Sequence, residues 1–281
     1  MKAELFLDAK ALLGEGPVYH EEDGLLYWVD IDGRKIHKTN IVTAQDSVIE
    51  TPSRPGVIRF SKKDVLYAGL EDGFYRYENG KFVMDTPLPA KERMRSNDGG
   101  CDPRGRMWLG TMELSAKQDE AALYVIEKGN LREVLPKATI SNGLCYSPDL
   151  KYMYYIDTPT GWLWRFDYDV ETGNISNRTP WIDYREEPGN FDGMTIDSQG
   201  QLWIAHCGGG LVTAWDPISK TKQGEIPIPA KSVTCCTFGG PNYDQLFITT
   251  ATFGRAESPA GGLFVCRDTG AKGLPCLRYQ D

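Results

Sequence analysis

A short extended run with an aromatic residue near its start recurs six times along this chain. The runs cover residues 25–31 around Tyr27, 65–70 around Tyr67, 107–112 around Trp108, 152–157 around Tyr154, 202–207 around Trp203 and 246–251 around Phe247. Successive anchors lie 40, 41, 46, 49 and 44 residues apart. A repeat of roughly 40–50 residues built on short strands is the period of a four-stranded propeller blade. A stack of β-sandwiches could supply the strands, but it gives no reason for a period held over six units.

Each unit fills out in the same way. A first strand is expected before each anchor, at 17–20, 57–60, 99–102, 144–147, 194–197 and 236–239. Third strands follow at 35–40, 73–78, 121–127, 162–168, 211–216 and 262–268, and fourth strands at 47–51, 81–85, 131–135, 180–184 and 224–228. Glu22-Asp23-Gly24, Pro103-Arg104-Gly105 and Asp197-Ser198-Gln199-Gly200 are tight-turn sequences between them. The sixth unit lacks a fourth strand, because residues 270–281 carry glycine and proline at poor positions. The run 3–8 at the N-terminus has no unit of its own and is expected to supply that strand, which removes a free sheet edge. No stretch of ten or more residues shows helical periodicity; 115–122 reads as a loop with at most one helical turn. The expectation is an all-β, six-bladed β-propeller spanning residues 1–281 as one domain, its ring closed by the N-terminal strand.

Charge and cysteine usage narrow the partners. A net charge of −8 with no Lys/Arg cluster disfavours a phosphate-tracking surface and hence nucleic acid. The N-terminus is interrupted by charges every few residues, so it holds no signal-peptide core, and no run is long enough to cross a membrane. Seven cysteines, an odd number without Cys-x-x-Cys spacing, read as reduced thiols in a cytoplasmic protein, expected to be a monomer.

Counting back from the anchors finds one recurrent polar position: Glu15 lies 12 residues before Tyr27, Asn97 lies 11 before Trp108, Asn142 lies 12 before Tyr154 and Asp192 lies 11 before Trp203. The inner strand of a blade lines the channel, so these four side chains should meet at one channel mouth. Arg95, Asp30, Glu113, Asp157 and His206 are placed at its rim, and Pro55 and Cys235 at the same position in units two and six. Taken singly, Asn-Gly or Asp-Gly before a strand is a turn device. Glu15 gains little from turn geometry, and turn residues have no reason to share a channel position. Hard oxygen donors suit Ca²⁺, Mg²⁺ or Mn²⁺, either as a Lewis acid or as a structural plug. His20 and His37 read as surface residues, Cys235-Cys236 as core packing, and His206 as a strand residue able to reach a ligand. No Gly-x-Ser-x-Gly elbow, His-Glu-x-x-His or phosphate-cradling glycine loop is present.

Leu13-Gly14-Glu15-Gly16-Pro17, Trp28-Val29-Asp30-Ile31, Asn97-Asp98-Gly99, Gly110-Thr111-Met112, Ser141-Asn142-Gly143-Leu144, Tyr155-Ile156-Asp157-Thr158 and Asp192-Gly193-Met194 follow one another in order. Together with Cys236-Thr237-Phe238-Gly239-Gly240 and 260–264, the chain resembles the senescence marker protein, regucalcin and gluconolactonase family. The resemblance implies hydrolysis of a small sugar lactone, such as gluconolactone, with one divalent metal, Ca²⁺ first, with Zn²⁺, Mn²⁺, Mg²⁺ or Fe²⁺ as alternatives. It assigns Glu15, Asn142 and Asp192 as ligands, Arg95 and Asn97 as substrate contacts, and Asp192 also as base. The family's further substrate-binding glutamate falls on Ser115, and Glu113, two residues away, is the candidate in its place. A non-catalytic calcium-binding propeller and an aryl-ester or organophosphate hydrolase on the same ring are the competing readings.

Overall fold

The computed structural model describes residues 1–254 and 259–281. Six four-stranded antiparallel sheets are arranged as the blades of a β-propeller. Their inner strands are Gly14–His20, Val57–Phe60, Met94–Cys101, Ser141–Tyr146, Asn190–Ile196 and Val233–Gly239. All six run the same way through the channel; the mouth at which they begin is called upper here.

The recurrent aromatics explain why the sheets close into a ring. Each is buried, and each packs on the blade that follows. Tyr27 lies with Ile58, Phe60 and Ala68 of blade 2, and Tyr67 with Met107 and Tyr124 of blade 3. Trp108 meets Tyr146 and Met153 of blade 4, and Tyr154 meets Met194 and Leu202 of blade 5. Trp203 meets Phe238 and Ile248 of blade 6, and Phe247 returns to Tyr19 and Trp28 of blade 1. The hydrophobic core is therefore six interblade seams, each built around one large ring whose burial stabilises by roughly 1.5–3 kcal/mol.

Closure in hydrogen bonds comes from the N-terminus. Ala3–Leu7 pairs antiparallel with Leu263–Cys266, the outermost strand that the end of the chain contributes to blade 6. Residues beyond Asp268 instead cross beneath the channel: Ser198 N donates to Lys272 O, Tyr279 N to Phe60 O and Gln280 N to Gly105 O. Arg278 bonds Asp64 at 2.8 Å and also Glu22. A cavity of about 290 Å³ in the lower channel lies between this segment and Asp98, with Cys101, Cys145, Cys235 and Cys236 in its wall. All seven cysteines are free.

Two histidines expected at the surface are buried. His20 stacks on Phe60 at 3.8 Å and donates to Asp64 at 2.8 Å. His37 stacks on Trp28 at 3.9 Å and donates to Asp46 at 2.7 Å. A carboxylate for the polar ring edge and an aromatic for its face let an imidazole replace an apolar side chain in a seam. Outer strands are also longer than expected. That of blade 4 runs Asn174–Asp183, because edge strands carry polar residues that obscure the pattern.

Blade 3 is pinned to blade 4 by a buried charge. Asp102, at the hairpin after the inner strand, accepts from Arg106 Nε, Trp108 Nε1 and Tyr168 OH and from two backbone amides. Asp197 repeats the device in blade 5 with the indole of Trp203 but without an arginine. Removing one member of a buried ion pair strands the other, so Asp102→Ala is expected to cost about 3–5 kcal/mol. Asp197→Ala, which orphans only neutral donors, should cost about 1–3 kcal/mol. Urea unfolding of the two variants checks the order.

Candidate functional site

The four polar positions read from the sequence are equivalent in the structure. Val18 pairs with Tyr27, Gly100 with Trp108, Cys145 with Tyr154 and Thr195 with Trp203. Glu15, Asn97, Asn142 and Asp192 each stand three residues before that partner. In each of these inner strands the ladder is interrupted just there, between Glu15 and Val18, Ser96 and Gly99, Ser141 and Leu144, and Phe191 and Met194. A bulge of this kind re-aims a side chain out of the sheet. The Asn-Gly and Asp-Gly pairs are thus not turns between strands.

The glycines have a packing reason. A Cβ on Gly143 would lie 2.8 Å from Asp192 O, and one on Gly193 would lie 2.3 Å from Cys235 Sγ. Each glycine lets the next blade's inner strand approach, which draws the polar positions together. In blades 2 and 6 the ladder corrects the sequence count. Arg59 pairs with Tyr67 and Thr237 with Phe247, so the equivalent residues are Gly56 and Thr234 rather than Pro55 and Cys235. Counting from the aromatic alone misses single-residue differences in the length of the hairpin between the inner and second strands.

Three buried carboxylates, Glu15, Asp98 and Asp192, share this end of the channel. Burial pushes Glu15 well above the usual carboxylate range, and the charges of Asp192 and Asp98 add to it. Burial likewise raises Asp192, with Asp98 contributing, from 3.8 to about 8 despite hydrogen bonds from Cys207 and Asn142. Asp98 is raised by burial and opposed by Arg59, whose guanidinium donates to Gly99 O. Neither Asp98 nor Arg59 stood out in the sequence. The signal was present in Asn97-Asp98-Gly99, where the bulge leaves two residues opposite one and turns both inward.

A chain of hydrogen bonds connects the amides. Arg95 Nη1 donates to Ser96 O at 2.9 Å and to Asn97 Oδ1 at 2.7 Å. Asn97 Nδ2 donates to Ser141 O at 2.9 Å and to Asn142 Oδ1 at 3.1 Å. Asn142 Nδ2 donates to Thr158 Oγ1 at 2.8 Å, which donates to Phe191 O on blade 5. The network fixes each amide's orientation and links blades 3, 4 and 5. Arg95 Nε and Nη2 make no protein hydrogen bond among the described residues, which leaves them for a ligand.

The other rim residues have structural duties. Asp30 accepts from the amides of Leu12, Leu13 and Gly33, and Asp157 from those of Thr139 and Ile140. His206 is held between Pro188 O at 2.8 Å and Thr213 Oγ1 at 2.7 Å. Glu113 lies at the upper end of its strand and accepts from Ser115 Oγ, Ser115 N and Arg93 Nε. Those bonds, the Ser115 hydroxyl first, hold its carboxyl down to about 2 and commit it to its own loop.

Buried carboxylates with so little positive charge nearby fit a hard cation, and the oxygen-only donor set of Glu15, Asn142 and Asp192 fits Ca²⁺ or a similar ion. Among the described residues, the one His/Cys/Asp/Glu trio whose ligand atoms all lie within 4.8 Å of one another is His20, Glu22 and Asp64. That trio sits at the lower mouth, where Arg278 already neutralises it. The upper site combines two carboxylates with an amide and is not such a trio.

Fold and site define a propeller with a cluster of buried oxygen donors at one channel mouth. The chain belongs to the SMP-30/gluconolactonase/LRE-like family, whose model matches residues 13–252. It is 40% identical over 274 residues to YvrE of Bacillus subtilis, by name a candidate sugar lactone lactonase, covering 94% of both chains. It is 34% identical over 290 residues to zebrafish regucalcin, covering 99% of this chain and 98% of that one. Among solved structures, a calcium-binding regucalcin of Agrobacterium tumefaciens superposes with a TM-score of 0.94 at 25% identity, covering 100% of this chain and 99% of that one.

An acid with a raised folded pKa binds its proton more tightly in the folded than in the unfolded state. Its contribution to stability is therefore lost as pH rises from the unfolded value toward the folded one. With divalent cations chelated, the melting temperature should fall between about pH 5 and about pH 8, and Asp192→Asn should flatten that fall. Calorimetry across that range checks it; identical slopes in wild type and variant would contradict the assignment.

Proposed function

We propose that the protein hydrolyses a sugar lactone at the upper mouth, with Glu15, Asn142 and Asp192 holding one divalent cation, Ca²⁺ in the first instance. The observation that carries this reading is the burial of Glu15, Asp98 and Asp192 at one end of the channel, beside an arginine with unused donors. Family membership and likeness to proteins named as lactonases support it. A bound cation at this place supplies Lewis-acid polarisation of an ester carbonyl and electrostatic stabilisation of the charge that develops on its oxygen.

The chain's own groups do the rest. Asp192 takes a proton from the attacking water and returns it to the ring oxygen as the ester C–O bond breaks, so that the hydroxy acid leaves with the proton balance closed. Asn142 stands beside Asp192 on the neighbouring blade and is fixed by Asn97 and Thr158. Arg95 presents Nε and Nη2 to the sugar hydroxyls, while Asn97 sets the guanidinium plane. Glu113 acts on the pocket through Arg93 and Ser115, by holding the loop that follows its strand.

Chelation of divalent cations and Asp192→Ala are each expected to reduce gluconolactone hydrolysis by roughly 10²-fold or more, the scale of a lost general base. Calorimetric titration of Ca²⁺ should show weaker binding to Glu15→Ala and Asp192→Ala than to wild type. Full turnover by either the chelated enzyme or Asp192→Ala would remove the mechanism. Cation binding without turnover of any lactone would assign the protein to calcium binding alone, and a preference for aryl esters over sugar lactones would reassign the substrate.

A further inference from the structure

Counted along the chain, Arg54 is the counterpart of Arg95 on the adjacent blade, in the segment that leads into the inner strand. Arg95 stands two residues before Asn97, and Arg54 stands two residues before Gly56, the residue that occupies the same slot in blade 2. Blade 2 offers no side chain at that slot. A Cβ on Gly56 would lie 2.4 Å from Ser96 O and 2.5 Å from Asn97 O, so the neighbouring strand closes the position to any other residue. This sector of the mouth is left to the two arginines.

Arg54 is braced rather than free. Its Nε donates to Asp32 Oδ1 at 2.8 Å and its Nη1 to Glu71 Oε1 at 2.9 Å. The side chain is nonetheless 29% exposed and that of Asp32 42% exposed. Nη2 makes no protein hydrogen bond among the described residues. Asp32 and Arg54 both act on the charge of Arg95, which places all three in one electrostatic neighbourhood. Arg54 faces Asp32 and Glu71, and Arg95 feels Asp32, Glu15 and Asp192, so this sector has no surplus positive charge to offer an anionic ligand. A hydroxyl can donate to a carboxylate and accept from a guanidinium at once, and adjacent hydroxyls on a carbon chain can do so in series.

We propose that Arg54, held between Asp32 and Glu71, forms with Arg95 a subsite for the hydroxyl groups of a neutral polyhydroxylated lactone. The proposal rests on the lactonase reading and adds the part of the substrate that this sector recognises. It makes Arg54 a specificity residue that contacts substrate away from the reacting carbonyl.

The test compares D-glucono-1,5-lactone with δ-valerolactone, which has the same ring and no hydroxyls, in wild type, Arg54→Gln and Asp32→Asn. The ratio of kcat/KM for the hydroxylated over the bare lactone should fall about tenfold in each variant, the scale of a lost charge-assisted hydrogen bond, with KM for gluconolactone carrying most of the change. A ratio unchanged from wild type in the folded variants overturns the subsite and leaves the lactonase reading standing. Wild-type enzyme that turns over neither lactone removes both. Should Arg54→Gln fail to fold, Asp32→Asn, which keeps the guanidinium and its Glu71 partner, decides the matter alone.

Discussion

Everything at the upper mouth depends on one repeated contact, the aromatic ring of each second strand against the blade that follows. Six such contacts, the last from Phe247 back to Tyr19 and Trp28, turn a linear repeat into a closed ring. Closure fixes the channel's radius, and the radius fixes how near Glu15, Asn97, Asn142 and Asp192 come to one another. Residues far apart in sequence become neighbours through seams that contain none of them. Loss of a seam ring would be felt at the site as a change in spacing before any change in chemistry.

Burying three carboxylates beside so few cations works against stability, and the fold meets that cost by construction elsewhere. Ser96, Ser141 and Thr234, fully buried near the slots, bond to backbone groups or side chains. Thr234 Oγ1 donates to Gly14 O and so ties blade 6 to the strand that carries Glu15. The amide chain from Arg95 through Asn97 to Asn142 spans blades 3 and 4, and Thr158 carries it to blade 5. Repulsion among the acids is therefore held by a polar network whose members have few unmet hydrogen bonds, and a cation would relieve what remains.

Period and anchors were legible because they are properties of single strands: a large ring every 40 to 49 residues needs no partner to be noticed. The inward slot was legible too, since bulge position repeats with the blade. What escaped are features that depend on two strands at once. Pro55 and Cys235 lie one residue from the true slots because the hairpin between inner and second strand varies in length, which only the ladder to Tyr67 and Phe247 reveals. His20 and His37 read as exposed because their neighbours Asp64 and Asp46 are distant in sequence or hidden in an edge strand. Asp98 was hidden behind Asn97, and Arg54 behind an apparently featureless Arg-Pro-Gly run. Glu113 could be located but not interpreted, because its hydrogen bonds are made by the loop it precedes.

The channel is asymmetric, and the asymmetry follows from what each end must do. Above Asp98 the wall is acid and amide; below it the cavity wall is largely apolar, with several thiols that burial keeps protonated. Arg59 sits at the boundary, drawing Asp98 down while it donates to the backbone of the strand that carries it. The segment beyond Asp268 crosses the lower mouth and is held there by Arg278 against Glu22 and Asp64, with no strand ladder of its own. The segment lies across the lower mouth, and the acids, Arg95 and Arg54 stand at the other. Polarity at one end and a strap at the other serve one requirement, because a carboxylate keeps a raised proton affinity only while it stays desolvated.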